Sequence, residues 1–385
     1  MGKESRLLIE ALRRGVTGAN IVALTDADME GVFKLAQAHR VTALVWEGIK
    51  DLPAVCEAMP EQVKNVFSAA YLQTIYADAQ LEYVRQALHE KLQSAHVDHV
   101  FLKGSRLKYD YPIPALRTMC DMDILVHTRD YGKITEIAKA LGGEGYYGDG
   151  NHHNFKFPGN VLAEFHPNLV HPGTILGTEL NPGWQYAVKA ADGAWEMTPE
   201  GMYLHTMGHL AEHFLHGGVG VRFVLDVWIL RNRSKPANWE FVAAELDRMR
   251  LLDFAKKIEA LAEFWFGAGE RTALLDELEE YILTSGVHGV RKRAMLNAVS
   301  LSRGGNRASA LFQKAFYPRR ELETRYPWVE GKPLLLPVAW CARAWGAVTK
   351  RGHLIRNWNK GTGEVTKEEM LRQREKKARF GIRRK

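Results

Sequence analysis

Asp121 and Asp123 stand one residue apart at the head of an apolar run, Asp121-Met122-Asp123-Ile124-Leu125-Val126. If that run is a strand, alternate residues face the same way at ~3.3 Å per residue, so both carboxylates leave one face roughly 6 to 7 Å apart. A pair so placed can grip two divalent cations about 3.5 to 4 Å apart, the arrangement used for in-line attack on a phosphate. The elements needed around it are readable nearby. His99-Val100-Phe101-Leu102 reads as a strand, Gly104-Ser105 as a turn into a short helix from Leu107 to Tyr111, and Asp121 to Val126 as a second strand. A second Asp-x-Asp, Asp26-Ala27-Asp28, precedes the helical pattern Met29, Val32, Phe33, Ala36 and reads instead as a helix N-cap with a first-turn acid.

A third carboxylate follows. After a helical pattern of Ile134, Ile137, Ala138 and Leu141, ended by Gly142-Gly143, two extended runs, Asn154 to Phe157 and Val161 to His166, are joined by Pro158-Gly159-Asn160 and read as a hairpin. The period of two puts Leu162, Glu164 and His166 on one face. On a strand beside Asp121, Glu164 would supply the third oxygen ligand that hard cations such as magnesium require.

These residues resemble the nucleotidyltransferase superfamily that includes DNA polymerase beta. More closely, Phe101-Leu102-Lys103-Gly104, Tyr111-Pro112, Arg117, Asp121 to Val126 and Glu164-Phe165-His166 resemble a bacterial family of uncharacterised nucleotidyltransferases often found near polysaccharide genes. The spacer from Gly104-Ser105 to Asp121 is longer than the shortest superfamily pattern and suits this subgroup. The resemblance implies an α+β fold, a mixed sheet with flanking helices, extended by N- and C-terminal helical regions. It implies Mg2+ or Mn2+ on Asp121, Asp123 and Glu164, an NTP donor, and transfer of a nucleoside monophosphate to a hydroxyl with release of pyrophosphate. Gly104 would allow close approach to a phosphate, Ser105 would open a helix whose N-terminus favours anions, and Lys103 and Arg117 would neutralise the leaving pyrophosphate. The acceptor, a sugar-related small molecule or a macromolecule, is not readable. Two further readings fit the same residues: a toxin-like enzyme modifying tRNA or protein, and a nucleotide-binding regulator without turnover. The three converging acids argue against the regulator.

Four regions follow from the patterning: helices over 1–97, the α/β core over 98–195, a helical region over 196–330 that opens with Thr198 as N-cap and Pro199 at the first position, and a C-terminal helical segment with a basic tail over 331–385. His205, His209 and His213 recur every four residues on one helix face. Such a stripe can bind zinc, can be structural, or can line the substrate cleft with His166, Arg222 and Asp226, the last two being able to pair at i, i+4. Cys56, Cys120 and Cys341 are too few and too scattered for a disulfide framework or a zinc ribbon. The start Met1-Gly2-Lys3-Glu4-Ser5-Arg6 leads into an amphipathic helix, so no secretory signal and a cytoplasmic location are expected. The apolar stretch from Leu334 to Val348 is too short and interrupted to span a bilayer. The formal net charge is +7, and from Lys350 onward thirteen Lys or Arg face four Glu, so the tail carries the excess. Its end, Arg372 to Lys385, can hold an anionic partner, RNA or a membrane surface, or can be a solvated helix end and terminus.

Overall fold

The region before the core folds as α1 (Lys3–Thr17), α2 (Met29–Ala38), α3 (Thr42–Ile49), α4 (Pro53–Ala58) and the 34-residue α5 (Glu61–Ser94). Asp28 caps α2 by accepting a hydrogen bond from the Glu30 amide at 3.1 Å, which is the structural role its position before Met29 indicates. In this computed structural model the described residues are 2–22, 24–146, 153–170, 176–190, 193–286, 291–300, scattered positions from 302 to 345, and 366–381.

The core strands β1 (His99–Phe101), β2 (Asp121–Val126), β3 (Glu144–Tyr146), β4 (His153–Phe157) and β5 (Val161–His166) form one mixed sheet in the order β1-β2-β5-β4-β3. Only β2 and β5 run parallel within it. A parallel step needs a crossover, which α7 (Tyr131–Ala140) and the β3–β4 hairpin supply, while α6 (Gly104–Leu107) follows β1. The β4–β5 turn depends on its residue types: Gly159 sits at φ +75° and Asn160 at φ +60°, conformations that these two side chains tolerate. That turn sets Phe157 opposite Val161 and hence Asn154 opposite Glu164.

One face of the sheet is apolar. Met122, Ile124 and Val126 of β2, with Val161, Ala163 and Phe165 of β5, bury against Leu81, Val84, Leu88 and Leu92 of α5 and against Ile134 and Ala138 of α7. Each of these side chains larger than alanine stabilises the fold by about 1.5–3 kcal/mol relative to exposure. The opposite face presents Asp121, Asp123, Glu164 and His166, with Leu125 beside them turned into the helical core.

Beyond the sheet come α8 (Gly177–Leu180), a hairpin of β6 (Ala187–Lys189) and β7 (Trp195–Met197), α9 (Pro199–His216), α10 (Val221–Asn232), α11 (Trp239–Arg248), α12 (Leu252–Phe266), α13 (Ala273–Leu283) and α14 (Arg291–Ser300). Thr198 caps α9 by accepting from the Gly201 amide at 3.1 Å, with Pro199 behind it. A single buried cluster joins Leu8 of α1, Val45 of α3, Leu125 of β2, Leu204 of α9, Val224 of α10, Leu261 of α12 and Ile282 of α13. The helices before and after the sheet thus share one core on its polar-face side. Among the described residues no helix is long and apolar enough to cross a membrane.

The basic tail differs from a solvated end over its described part. Helix α15 (Lys367–Arg379) starts with a capping box between Thr366 and Glu369. Phe380 after it is fully buried, its ring 5.7 Å from Phe214 and 5.6 Å from Tyr281. Lys377 is also buried, and its Nζ donates to the Leu215 carbonyl at 3.1 Å, near the end of α9. A cation there satisfies a terminal carbonyl and complements the helix dipole. The basic residues at 350–365 and 382–385 lie outside the described residues.

Candidate active site

The parallel ladder between β2 and β5 pairs Asp123 with Glu164 and Leu125 with His166. Paired positions project from the same face, so Asp123, Glu164 and His166 converge. One ligand atom from each lies within 4.8 Å of the other two. His166 Nε2 is 2.8 Å from Asp123 Oδ1 and 3.6 Å from Glu164 Oε2. Asp121 follows on the same face, paired with Leu162. Asn154, opposite Glu164 on β4, extends the row across a third strand, and its buried Oδ1 has no protein partner. Asn154 is not among the sequence-predicted site residues; the signal that could have found it is the hairpin register, since a three-residue turn after Phe157 aligns it with Glu164.

Lys103 enters from the β1–α6 junction. The β1–β2 pairing continues one step, with the Leu102 amide donating to the Asp123 carbonyl at 2.9 Å. The chain then turns sharply at Lys103, whose φ of +45° and ψ of −125° form a strained conformation for a residue with a Cβ, costing of order 1–3 kcal/mol. The turn brings Lys103 Nζ to 3.0 Å from Asp123 Oδ1. Gly104 is required next, because a Cβ there would fall 2.2 Å from Arg117 Nη1 and 2.4 Å from Met119 Sδ. The anion-binding helix start expected at Ser105 takes another form. The Ser105 amide donates to the Leu102 carbonyl, and the Arg106 and Leu107 amides donate to the Lys103 carbonyl, so the short α6 turns these donors inward. The Ser105 hydroxyl is buried without a partner.

Charge and burial split the two aspartates. Burial alone pushes the Asp123 carboxyl up, but Lys103 and His166 more than offset it and hold it well below the usual carboxylate range. Asp121 goes the other way: burial, with the Asp123 charge adding to it, raises its carboxyl against the pull of Lys103, Arg222 and His166. Lys103 loses from burial but gains more from Asp123, Asp121 and Glu164, so it is held firmly protonated.

A cleft of about 210 Å³ opens beside the pair. Its far wall is the start of α10 and one face of α9, which contribute Thr206, His209, His213, Arg222, Phe223 and Asp226. His209 and His213 join Nε2 to Nε2 at 2.9 Å, so one donates and the other accepts. Burial, with Lys103 adding its charge, pushes His209 well below the ordinary histidine range and His205 down to about 3. His205 is fully buried and does not line the cleft. Among the described residues the one group of three His or acidic side chains with ligand spacing is Asp123, Glu164 and His166, so the α9 stripe makes no such group.

Asp226 pairs with a different arginine from its i−4 neighbour. Arg117 Nε and Nη2 each donate to it at 2.8 Å in a buried bidentate clamp, and the Tyr111 hydroxyl adds a third bond at 2.6 Å. Arg222 instead donates Nη1 to the Thr118 carbonyl at 2.6 Å. Arg40, Met119, Cys120 and Thr206 also line the cleft, and none carried a sequence signal, since each reaches it from an element whose approach only the tertiary fold determines.

The residues fit a hard divalent cation. Asp123 and Glu164 bring two carboxylates together, Asp121 adds a third on the same face, and His166 and the unpartnered Asn154 Oδ1 offer further donors. Lys103 supplies the positive charge that such an anionic cluster calls for. No curated protein and no solved structure matches the chain significantly. A family model described as an uncharacterised nucleotidyltransferase matches residues 25–267, a span that encloses the sheet, both carboxylate strands and the α9–α10 wall of the cleft. The chain therefore belongs to the uncharacterised nucleotidyltransferase family.

Proposed function

We propose that the protein transfers a nucleoside monophosphate from an NTP to a hydroxyl acceptor and releases pyrophosphate. The observation that carries this reading is the pairing of Asp123 with Glu164 across a parallel ladder, with Asp121 on the same face, at the edge of a cleft that Arg40, Arg117 and Arg222 also line. Asp121, Asp123 and Glu164 would hold magnesium or manganese, which would supply Lewis-acid charge to the phosphoryl transfer. His166, 2.8 Å from Asp123, fixes that carboxylate's orientation and can add a donor.

The chain's own groups then have distinct tasks. Lys103 holds Asp123 ionised and keeps positive charge beside the entering triphosphate. Gly104 leaves the space in which Arg117 and Met119 close over the loop. Glu164, with its side chain 24% exposed against 8% for Asp123, is the more open carboxylate and receives the proton of the acceptor hydroxyl. The hydroxyl oxygen bonds to the α-phosphorus as the bond to the pyrophosphate oxygen breaks.

The test is a label-transfer screen. Each NTP, labelled at the α-phosphate, is incubated with the protein, magnesium and cell extract. Label carried to an acceptor, with matching pyrophosphate release, is expected from the native chain and not from Asp121→Asn or Asp123→Asn. Equal transfer by either variant would remove the site assignment.

A further inference from the structure

The cations assigned from sequence to the leaving pyrophosphate are both already engaged. Lys103 is 3.0 Å from Asp123, and Arg117 is clamped to Asp226 by two bonds at 2.8 Å. Arg222 is placed differently. It lines the same cleft from the first turn of α10, and among the described residues no carboxylate lies within ion-pair distance of it. Its Nη1 reaches only the Thr118 carbonyl, and its Nε is shut away from solvent with no partner. Burial, with the like charge of Arg117 adding to it, pushes its pKa down to about 10 against the pull of Asp226. Arg40, which donates to Cys120, lines the cleft beside it and also disfavours its charge.

A half-buried guanidinium with a desolvated Nε and no carboxylate in ion-pair distance costs stability, and at a cleft it is available to an anion. We infer that Arg222, with Arg40 beside it, forms the polyphosphate subsite, taking the β- and γ-phosphates of the NTP and then the pyrophosphate. The planar guanidinium suits two phosphate oxygens at once, and Arg222 lines the cleft they would enter. Asp121, Asp123 and Arg222 line the one cleft, so a chain of phosphates can run from the carboxylate pair to the guanidinium.

The inference rests on the nucleotidyl-transfer reading, but its test needs no turnover. Binding of inorganic tripolyphosphate and pyrophosphate, and of each NTP against its monophosphate, is measured calorimetrically on the full chain and on Arg222→Gln, Arg222→Lys and Arg40→Gln. Arg222→Gln is expected to weaken tripolyphosphate and NTP binding by at least about tenfold, the loss of one charged hydrogen-bonded contact, and to leave monophosphate binding unchanged. Arg222→Lys falls between, keeping the charge without the fork, and Arg40→Gln gives a smaller loss in the same order. The thermal midpoint of Arg222→Gln should hold or rise, because an uncompensated charge has been removed. Unchanged tripolyphosphate binding overturns the assignment. So does equal weakening of NTP and monophosphate, which places the guanidinium on an acceptor's phosphate or on the α-phosphate, and so does a lowered midpoint with uniform loss, which makes Arg222 structural. A native chain that binds tripolyphosphate through Arg222 yet transfers no nucleotide leaves the subsite standing and removes the proposed reaction alone.

Discussion

Replacing Asp226 by Asn tests how the cleft wall is held. The carboxylate accepts two charged hydrogen bonds at 2.8 Å from Arg117 and one at 2.6 Å from Tyr111, and both ends of the ion pair are buried. Asn nearly conserves volume and can still accept from Tyr111 through its amide oxygen. It removes the counter-charge of Arg117 and turns an amide donor toward a guanidinium donor, leaving a buried cation unpaired. Breaking a buried pair in this way costs about 3–5 kcal/mol, a large share of the 5–15 kcal/mol typical of a folded domain. Arg222 adds to the cost, since Asp226 is the charge that most favours its protonated form. Urea unfolding followed by circular dichroism should show this loss for Asp226→Asn. The double variant Arg117→Met with Asp226→Leu should recover most of it, because neither charge remains to be desolvated. A loss below about 1 kcal/mol for Asp226→Asn would refute the clamp.

Three further outcomes are expected. Gly104→Ala should cost about 1–3 kcal/mol and abolish label transfer, because the added methyl meets Arg117, itself pinned by Asp226; a variant with native stability and activity would contradict the close packing. His39 donates Nε2 to the Leu283 carbonyl and accepts from the Val221 amide, and burial pushes its pKa from 6.5 down to about 4. Its contribution should be complete above pH 6.5 and lost as the pH falls toward 4, because the unfolded chain takes the proton first; the loss is about 3 kcal/mol, and His39→Gln should flatten that part of the stability profile. Phe380→Ala should destabilise by about 3–5 kcal/mol in thermal or urea unfolding, since its ring fills a pocket between Phe214 and Tyr281, whereas a freely solvated tail gives no change.

Much of the fold was readable because local chemistry and tertiary demand agree. The strands Asp121–Val126 and Val161–His166 place their polar side chains at alternate positions, and the turn residues Gly159 and Asn160 take the left-handed conformations that their types favour. The caps at Asp28 and Thr198 separate a structural acid from the acids on the sheet. The β6–β7 hairpin and α4 went unread, since three-residue strands and a six-residue helix are too short to show a period. At the site, the placement of Glu164 and His166 on one face followed from phase alone. The partners of charged residues did not: Arg222 and Asp226 share a helix at i, i+4, yet Asp226 meets Arg117 from 109 residues away. Sequence spacing fixes which residues share an element, while competition for a buried carboxylate is decided by which side chain the fold brings in with the better fork. The tail misled for a related reason, because composition reports its charge and not the burial of Lys377 and Phe380.

The central claim is that Asp121, Asp123 and Glu164 hold the cation for nucleotidyl transfer, and cation binding by the native chain tests it most directly. Manganese is titrated into the full chain with an NTP analogue whose α–β bridge cannot be cleaved, and bound ion is read by electron paramagnetic resonance. The account predicts bound manganese in the native chain and at least about tenfold weaker binding in Asp123→Asn and Glu164→Gln, with native circular dichroism in both. Manganese bound equally by the native chain and these folded variants, or by none of them, would contradict it.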